Sequence, residues 1–236
     1  MEGFRATGRG KILILFALLV LAYRVSYAAP GYGTHMPEKR HFTCGLEGNF
    51  LIDRDLDNDE GATNGNRYFF TLSYGIFEWL CFDGKAGVGD VHWDRTKGND
   101  DMDYSTNFAG AYGFRIKGYE NEDWGIKSVV GFQHVSVHPD AKNQAGEKHE
   151  TIIDEWQGSI IVSKVIGDFV PYLGARYGTV DFIKWVNEQD RKRIQSENYY
   201  GVIVGMDYWL NNTTKINLET GLLDGEEFAI GISRDF

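Results

Sequence analysis

Two stretches of this sequence carry residue types that can do chemistry. Gln133-His134-Val135-Ser136-Val137-His138 puts a His two positions from a Ser. In an extended strand that spacing sets both side chains on one face, about 7 Å apart. A base beside a nucleophile can attack acyl esters, and Asp154, at the start of the next strand-like segment, is placed to orient His134. The plainer reading is a polar rim where a strand leaves its apolar surroundings. The second stretch, Asp53 to Gly61, carries carboxylates at alternate positions, Asp53, Asp55, Asp57 and Asp59. That resembles the start of a calcium-binding loop, but Asn64 stands where the closing Glu belongs. Solvated loop acids are the simpler reading, so no metal site is assigned. The chain has no phosphate-cradling glycine loop, no His-Glu-x-x-His and no Cys-His zinc spacing, and no cofactor is implied.

The elements that must hold these residues are strands. In residues 42–52, Phe42, Cys44, Leu46, Phe50 and Ile52 share one parity with Gly48, while Thr43, Gly45, Glu47 and Asn49 take the other. Such alternation marks a strand between two different environments. It recurs near residues 67–76, 80–88, 108–117, 126–133, 155–162, 173–177, 201–208, 216–222 and 228–236, which predicts ten strands. Polar stretches near 53–66, 93–106, 136–150 and 181–196 alternate with short turns near 77–79, 118–125, 165–168 and 210–214. Long and short connections taking turns describe an up-and-down meander with both termini at the short-turn end. The last hairpin, near 223–226, is short where a long loop belongs. Residues 185–197 have the composition for a turn of helix.

The first 28 residues are of another kind. Arg5, Arg9 and Lys11 precede an 11-residue apolar run from Ile12 to Ala22, and Ser26 and Ala28 stand at a small-x-small spacing. This order is that of a secretory leader cut after Ala28, and the run is short of the roughly 20 residues a spanning helix needs. Residues 29–40 would then be a short periplasmic lead-in and residues 41–236 the folded domain. Removing residues 1–28 takes four basic residues and one acid from a chain of net charge −10, leaving −13. A chain so acidic repels phosphates, which argues against nucleic-acid partners. Cys44 and Cys81 fall on opposite parities of the first and third strands, so two free thiols are expected rather than a disulfide.

Two cues turn the apolar face outward. The polar parity mixes Glu47, Arg67, Asp83, Lys85, Arg115, Lys117, Lys127, Glu155, Arg176 and Glu219 with glycines. Both signs with small residues between them suit the inside of a narrow barrel. Tyr74, Trp79, Trp124, Trp156, Phe169, Tyr172, Tyr208 and Trp209 gather near strand ends, where amphipathic rings meet a membrane boundary. The expected fold is all-β: a closed antiparallel up-and-down transmembrane β-barrel of about ten strands, with eight as the alternative if one hairpin forms outside the membrane.

The segment Tyr74-Gly75-Ile76-Phe77-Glu78-Trp79-Leu80 resembles the periplasmic turn of bacterial outer-membrane barrels. Phe169 to Tyr177 and Tyr200 to Met206 are similar to strands of the same superfamily, and the terminal Phe236 is similar to its barrel-assembly signal. The resemblance covers nearly all of residues 29–236. It implies export to the bacterial outer membrane. The partners it implies are outer-membrane lipids, lipopolysaccharide and, during insertion, the barrel-assembly machinery. The oligomeric state, monomer or otherwise, is left open. His134-x-Ser136 resembles the motif of outer-membrane phospholipases and lipid A deacylases, with Val137 in place of the Asn that usually follows. Three functions are thus expected in order: a non-enzymatic barrel with a side-chain-filled lumen, structural or surface-interacting; a narrow porin-like channel; and a rim lipid hydrolase.

Overall fold

The computed structural model describes residues 33–95 and 101–236. The leader expected over residues 1–28 lies outside them. Among the described residues there are thirteen strands: β1 (Phe42–Asp53), β2 (Asp55–Leu56), β3 (Gly61–Phe77), β4 (Leu80–Asp94), β5 (Met102–Asn121), β6 (Ile126–Val137), β7 (Lys142–Gln144), β8 (Glu147–Lys164), β9 (Phe169–Val186), β10 (Gln189–Gln195), β11 (Tyr200–Trp209), β12 (Thr214–Leu222) and β13 (Glu226–Asp235). Among the described residues there is no helix long and apolar enough to cross a membrane.

Ten of the strands form a closed ring, each antiparallel to the next: β1, β3, β4, β5, β6, β8, β9, β11, β12 and β13. The ring closes where β1 pairs β13, with Leu46 opposite Ile232 and Phe50 opposite Phe228. Aromatic and aliphatic residues of the apolar parity face outward: Leu46, Phe70, Phe82, Phe108, Ile160 and Leu173 are each more than half exposed. The opposite parity is buried inside, Glu47, Arg67, Asp83 and Arg176 among it. This is the inverse of a water-soluble barrel, and it is the arrangement of a barrel solvated by lipid.

The long polar connections expected from the sequence are largely strand. β5, β8 and β9 run 20, 18 and 18 residues, whereas β11, β12 and β13 run 10, 9 and 10. About 9–11 residues cross a bilayer, so the surplus of the long strands projects beyond it. The three short strands knit this projection together. β2 pairs β3, β7 pairs β8, and β10 pairs β9 with Ile194 opposite Phe182. β2 and β10 are joined by the Asp57 N–H to the Gln195 carbonyl (2.9 Å) and the Glu197 N–H to the Asp55 carbonyl (3.1 Å).

The expected turn of helix at 185–197 is instead the β9–β10 hairpin. Its turn residues Asn187 and Glu188 have φ of 50° and 62°, the left-handed pair that a two-residue hairpin matched to strand twist requires. The short hairpin at 223–226 also has its explanation. It joins β12 and β13, which run only 9 and 10 residues and carry no extension.

Residues 33–40, part of the lead-in expected over 29–40, turn into the barrel mouth at the short-turn end. Gly33, at φ +59°, lies against the Asp207 carboxylate and the Tyr172 ring, where a side chain would collide. Thr34 bonds Ser163 (2.6 Å), and His35 pairs with Asp235 (2.9 Å) and meets Trp209 edge-on.

Gly205 offers a test of this packing, because a Cβ there would overlap the Tyr172 ring. Overpacking of this kind costs about 1–3 kcal/mol. Gly205→Val is expected to lose about 2 kcal/mol in urea unfolding from lipid vesicles followed by tryptophan fluorescence. Gly158→Val, where the nearest atom is 4.0 Å away, is expected to change little.

Candidate functional site

Every barrel strand sends alternate residues inward, and the inward set forms layers along the axis. Nearest the short-turn end, Arg115 grips Asp83 with two hydrogen bonds (2.8 and 2.7 Å) while Ser73 donates to the same carboxylate. Arg115 also donates to the His35 carbonyl of the inserted segment. Beside it, Lys215 and Asn217 hold Asp207 at 2.8 and 2.7 Å. In the next layer Lys85 pairs with Glu47 (2.6 Å), Tyr172 donates to Glu219 (2.6 Å) and Gln157 donates to Gln133 (3.0 Å).

A third layer gathers three arginines and three carboxylates. Arg176 binds Asp224 through two bonds of 2.7 Å and Glu227 at 3.0 Å. Arg54 and Arg67 share Glu155 at 3.1 and 3.4 Å, and each lies 3.6 Å from Glu227. Equal numbers of opposite charges let the cluster survive full burial, since an uncompensated charge there costs several kcal/mol. Above it stands an apolar plug that includes Leu56, Val91, Trp93, Met102, Phe182 and Ile194. The cavities between the polar layers measure about 40 and 20 Å³, room for a water or two.

Eight of the ten charged residues expected in the lumen lie in these layers. Lys117 and Lys127 do not. A bulge between Lys117 and Tyr119 shifts the β5–β6 register, and both lysines stand half-exposed at the short β5–β6 hairpin, paired with Glu120 at 2.8 and 2.5 Å. Their hydrogen bonds, that from Lys117 foremost, hold the Glu120 carboxyl down at about 2. Tyr172, expected among the boundary aromatics, is buried inside. Arg54, Asp207, Lys215, Asp224 and Glu227 are interior charges beyond the expected set. Parity carries the signal for three of them: Asp207 faces the way of Ile203, Lys215 that of Glu219, and Glu227 that of Ala229. Arg54 and Asp224 lie between strands, where alternation gives no signal.

At the outer rim, His134 and Ser136 face outward but do not bond each other. Ser136 Oγ lies 2.9 Å from His138 Nε2, while His134 Nε2 lies 2.8 Å from Asp154. Asp154 sits directly opposite Ser136 on β8, so the acid draws His134, and the next outward residue, His138, reaches Ser136 instead. His134 lies between Trp156 and Tyr112, tilted against both rings with centroids 4.1 and 5.0 Å away. Among the described residues no carboxylate bonds His138, because the one at this rim is held by His134. The rim therefore carries two dyads and not a triad.

Asp53, Asp55, Asp57 and Asp59 do not converge. Arg54 and Leu56 point in between them, and Asn58 and Asp59, at φ 63° and 54°, form the β2–β3 hairpin turn. Among the described residues, the group that brings three candidate metal ligands within 4.8 Å of one another is His92, Asp94 and Asp101. Asp103 and Asp94 already bond the two nitrogens of His92. Burial pulls His92 down, but these bonds outweigh it and raise the imidazole above its ordinary value. Cys44, on the outer face, and Cys81, inside, are free thiols. Phe236 stacks on Phe42 at 5.2 Å and closes the β1–β13 seam through the Phe236 N–H to the Phe42 carbonyl (2.9 Å).

A closed antiparallel ring, apolar outside and charge-filled inside, defines an outer-membrane-type β-barrel. Solved structures to which the chain is similar are of that kind. An outer membrane channel from Pseudomonas putida F1 matches at TM-score 0.47 and 9% identity, over 88% of this chain and 99% of that one. The transport unit of the autotransporter AIDA-I from Escherichia coli matches at TM-score 0.43 and 12% identity, over 84% and 89%. The outer membrane protease OmpT from Escherichia coli matches at TM-score 0.39 and 11% identity, over 83% and 95%. No protein-family model matches the chain, and no curated protein matches it.

The arginine layer is testable. Removing one partner of a buried ionic cluster strands the others, at about 3–5 kcal/mol. Arg54→Met is expected to lose that much in urea unfolding from vesicles. Lys117→Met, at a half-exposed pair, is expected to lose less than about 1 kcal/mol.

Proposed function

We propose that this protein is a closed, non-enzymatic outer-membrane barrel whose working face is its extracellular surface. The observation that carries the reading is the stacked filling of the interior, from the inserted segment at residues 33–40 to the apolar plug. A narrow tube can conduct only if its layers leave a continuous path, and here ion pairs and packed side chains occupy the axis. The outward face meets lipid, and the projecting strands stand in the lipopolysaccharide layer, which are its standing partners. The assembly machinery would engage the strand that ends at Phe236. The barrel needs no second subunit to close its sheet, since β1 pairs β13 within one chain, and it acts as a monomer.

One observation favours a second reading. The 2.9 Å contact of Ser136 with His138 puts a base on a hydroxyl at lipid level, the minimum for acyl-ester hydrolysis. Against it, no acid orients His138 among the described residues, since Asp154 is held by His134.

Planar-bilayer recording and fatty-acid release from phospholipid vesicles separate the readings. The refolded protein is expected to pass no steady current, and deletion of residues 33–40 is expected not to open it, because the layers above remain. Steady ohmic current through the full chain would establish the channel instead. Fatty-acid release that disappears in Ser136→Ala would establish the hydrolase.

A further inference from the structure

At the long-strand end, β4 closes with His92-Trp93-Asp94 and β5 opens after Asp101 with Met102-Asp103. Trp93 stands directly opposite Met102, and His92 directly opposite Asp103. Trp93 and Met102 point inward and are almost fully buried in the apolar plug. Trp93 packs on Phe182 with centroids 5.1 Å apart, and its indole N–H donates to the Glu60 carbonyl at 2.8 Å. Alternation sends the residues on either side of each to the other face. Four side chains able to bind a metal thus share one outward patch, on backbone that the plug holds in place.

Three of them converge. One ligand atom from each of His92, Asp94 and Asp101 lies within 4.8 Å of the others, and His92 Nε2 is 2.7 Å from Asp94 Oδ1. Ligand atoms on one zinc ion, each about 2.0–2.2 Å from it, stand roughly 3–3.5 Å apart, so these spacings need only a small adjustment. The fourth side chain has a different part. His92 Nδ1 bonds the Asp103 carboxylate, and a metal-binding imidazole almost always gives its second nitrogen to such a partner, which fixes its tautomer and ring orientation.

The imidazole separates this group from the acids of the β2–β3 turn. All-oxygen sites suit calcium and magnesium, whereas a ring nitrogen among carboxylates suits the later first-row metals. Charge points the same way. Three carboxylates meet one imidazole and Lys142, whose Nζ is 3.8 Å from Asp103, while Arg95 turns its guanidinium onto Trp93, 4.4 Å from the ring centroid. Carboxylates facing one another across a strand pair repel, and a divalent ion between them relieves that repulsion.

We propose that His92, Asp94 and Asp101 bind one divalent transition-metal ion of the zinc class, with Asp103 positioning the imidazole and water completing the coordination. On binding, the ion replaces the proton between His92 Nε2 and Asp94, and that proton leaves to solvent. The ligands lie on the outer wall, so binding is independent of whether the lumen conducts.

Calorimetric titration of the refolded full-length protein in detergent micelles, first with zinc chloride and then with calcium chloride, tests it. One saturable zinc ion per chain is expected, with calcium at least about tenfold weaker. His92→Asn and Asp101→Asn are each expected to weaken zinc by at least about tenfold, the loss that even an outer-shell partner brings, while the folded barrel keeps its heat-modifiable gel mobility. His149→Asn is expected to leave zinc affinity unchanged. Absence of saturable zinc heat would overturn the proposal, as would undiminished zinc affinity in both His92→Asn and Asp101→Asn. Calcium binding as tight as zinc would reduce the group to solvated acids and overturn the assignment as well.

Discussion

A lipid bilayer offers no hydrogen bonds to a peptide backbone, so a sheet that crosses it must leave no edge. Everything else in this structure follows from meeting that constraint. The first strand has to find the last, and the β1–β13 seam does so over nearly the whole length of both strands. Ten strands in strict up-and-down order then bring both ends of the barrel to one side of the membrane. Closure also fixes which residues meet lipid and which meet one another, because side chains alternate across each strand.

A ten-stranded ring encloses little space, and charges placed there must satisfy themselves. The interior does this by pairing locally: Asp83 with Arg115, Glu47 with Lys85, Asp207 with Lys215, and the three arginines with Glu155, Asp224 and Glu227. Such pairs are weak sources of net stability, because desolvation offsets most of their attraction. Packed together, they leave cavities of only about 40 and 20 Å³ between the layers. The backbone of residues 33–35 completes the filling at one end, and the plug beneath the projecting strands completes it at the other. The unequal strand lengths leave a hydrogen-bonded platform at the long-strand end, where β2, β7 and β10 pair with β3, β8 and β9.

Much of this was legible in the sequence, and the physical reason is the period of two. All ten barrel strands carry it, and it correctly separates Phe70 and Leu72 from Thr71 and Ser73. It fails where alternation is interrupted. Arg54 sits between two strands and read as one more residue in an acidic loop, yet it is among the most deeply buried side chains. The extensions of β5, β8 and β9 are polar on their outer face, because above the bilayer that face meets water. Polarity therefore suggested loops at 93–106, 136–150 and 181–196. The hairpin turns Ala145-Gly146 and Asn187-Glu188, both with positive φ, were the signal that the second and third of these stretches are paired strands. At the rim, parity correctly put His134 and Ser136 on one face. It could not say which neighbour each would choose, because that is decided by Asp154 across the β6–β8 pair.

The central claim is that this barrel turns its apolar parity to lipid and its polar parity to a packed interior. Single nitroxide labels at residues 70 to 74 along β3, in a cysteine-free background reconstituted in vesicles, test it directly through collision with oxygen and with a water-soluble nickel chelate. Labels at 70, 72 and 74 are expected to meet oxygen freely and the chelate hardly at all. Labels at 71 and 73 are expected to be shielded from both. Oxygen access without a period of two, or free chelate access at 71 and 73, would contradict it.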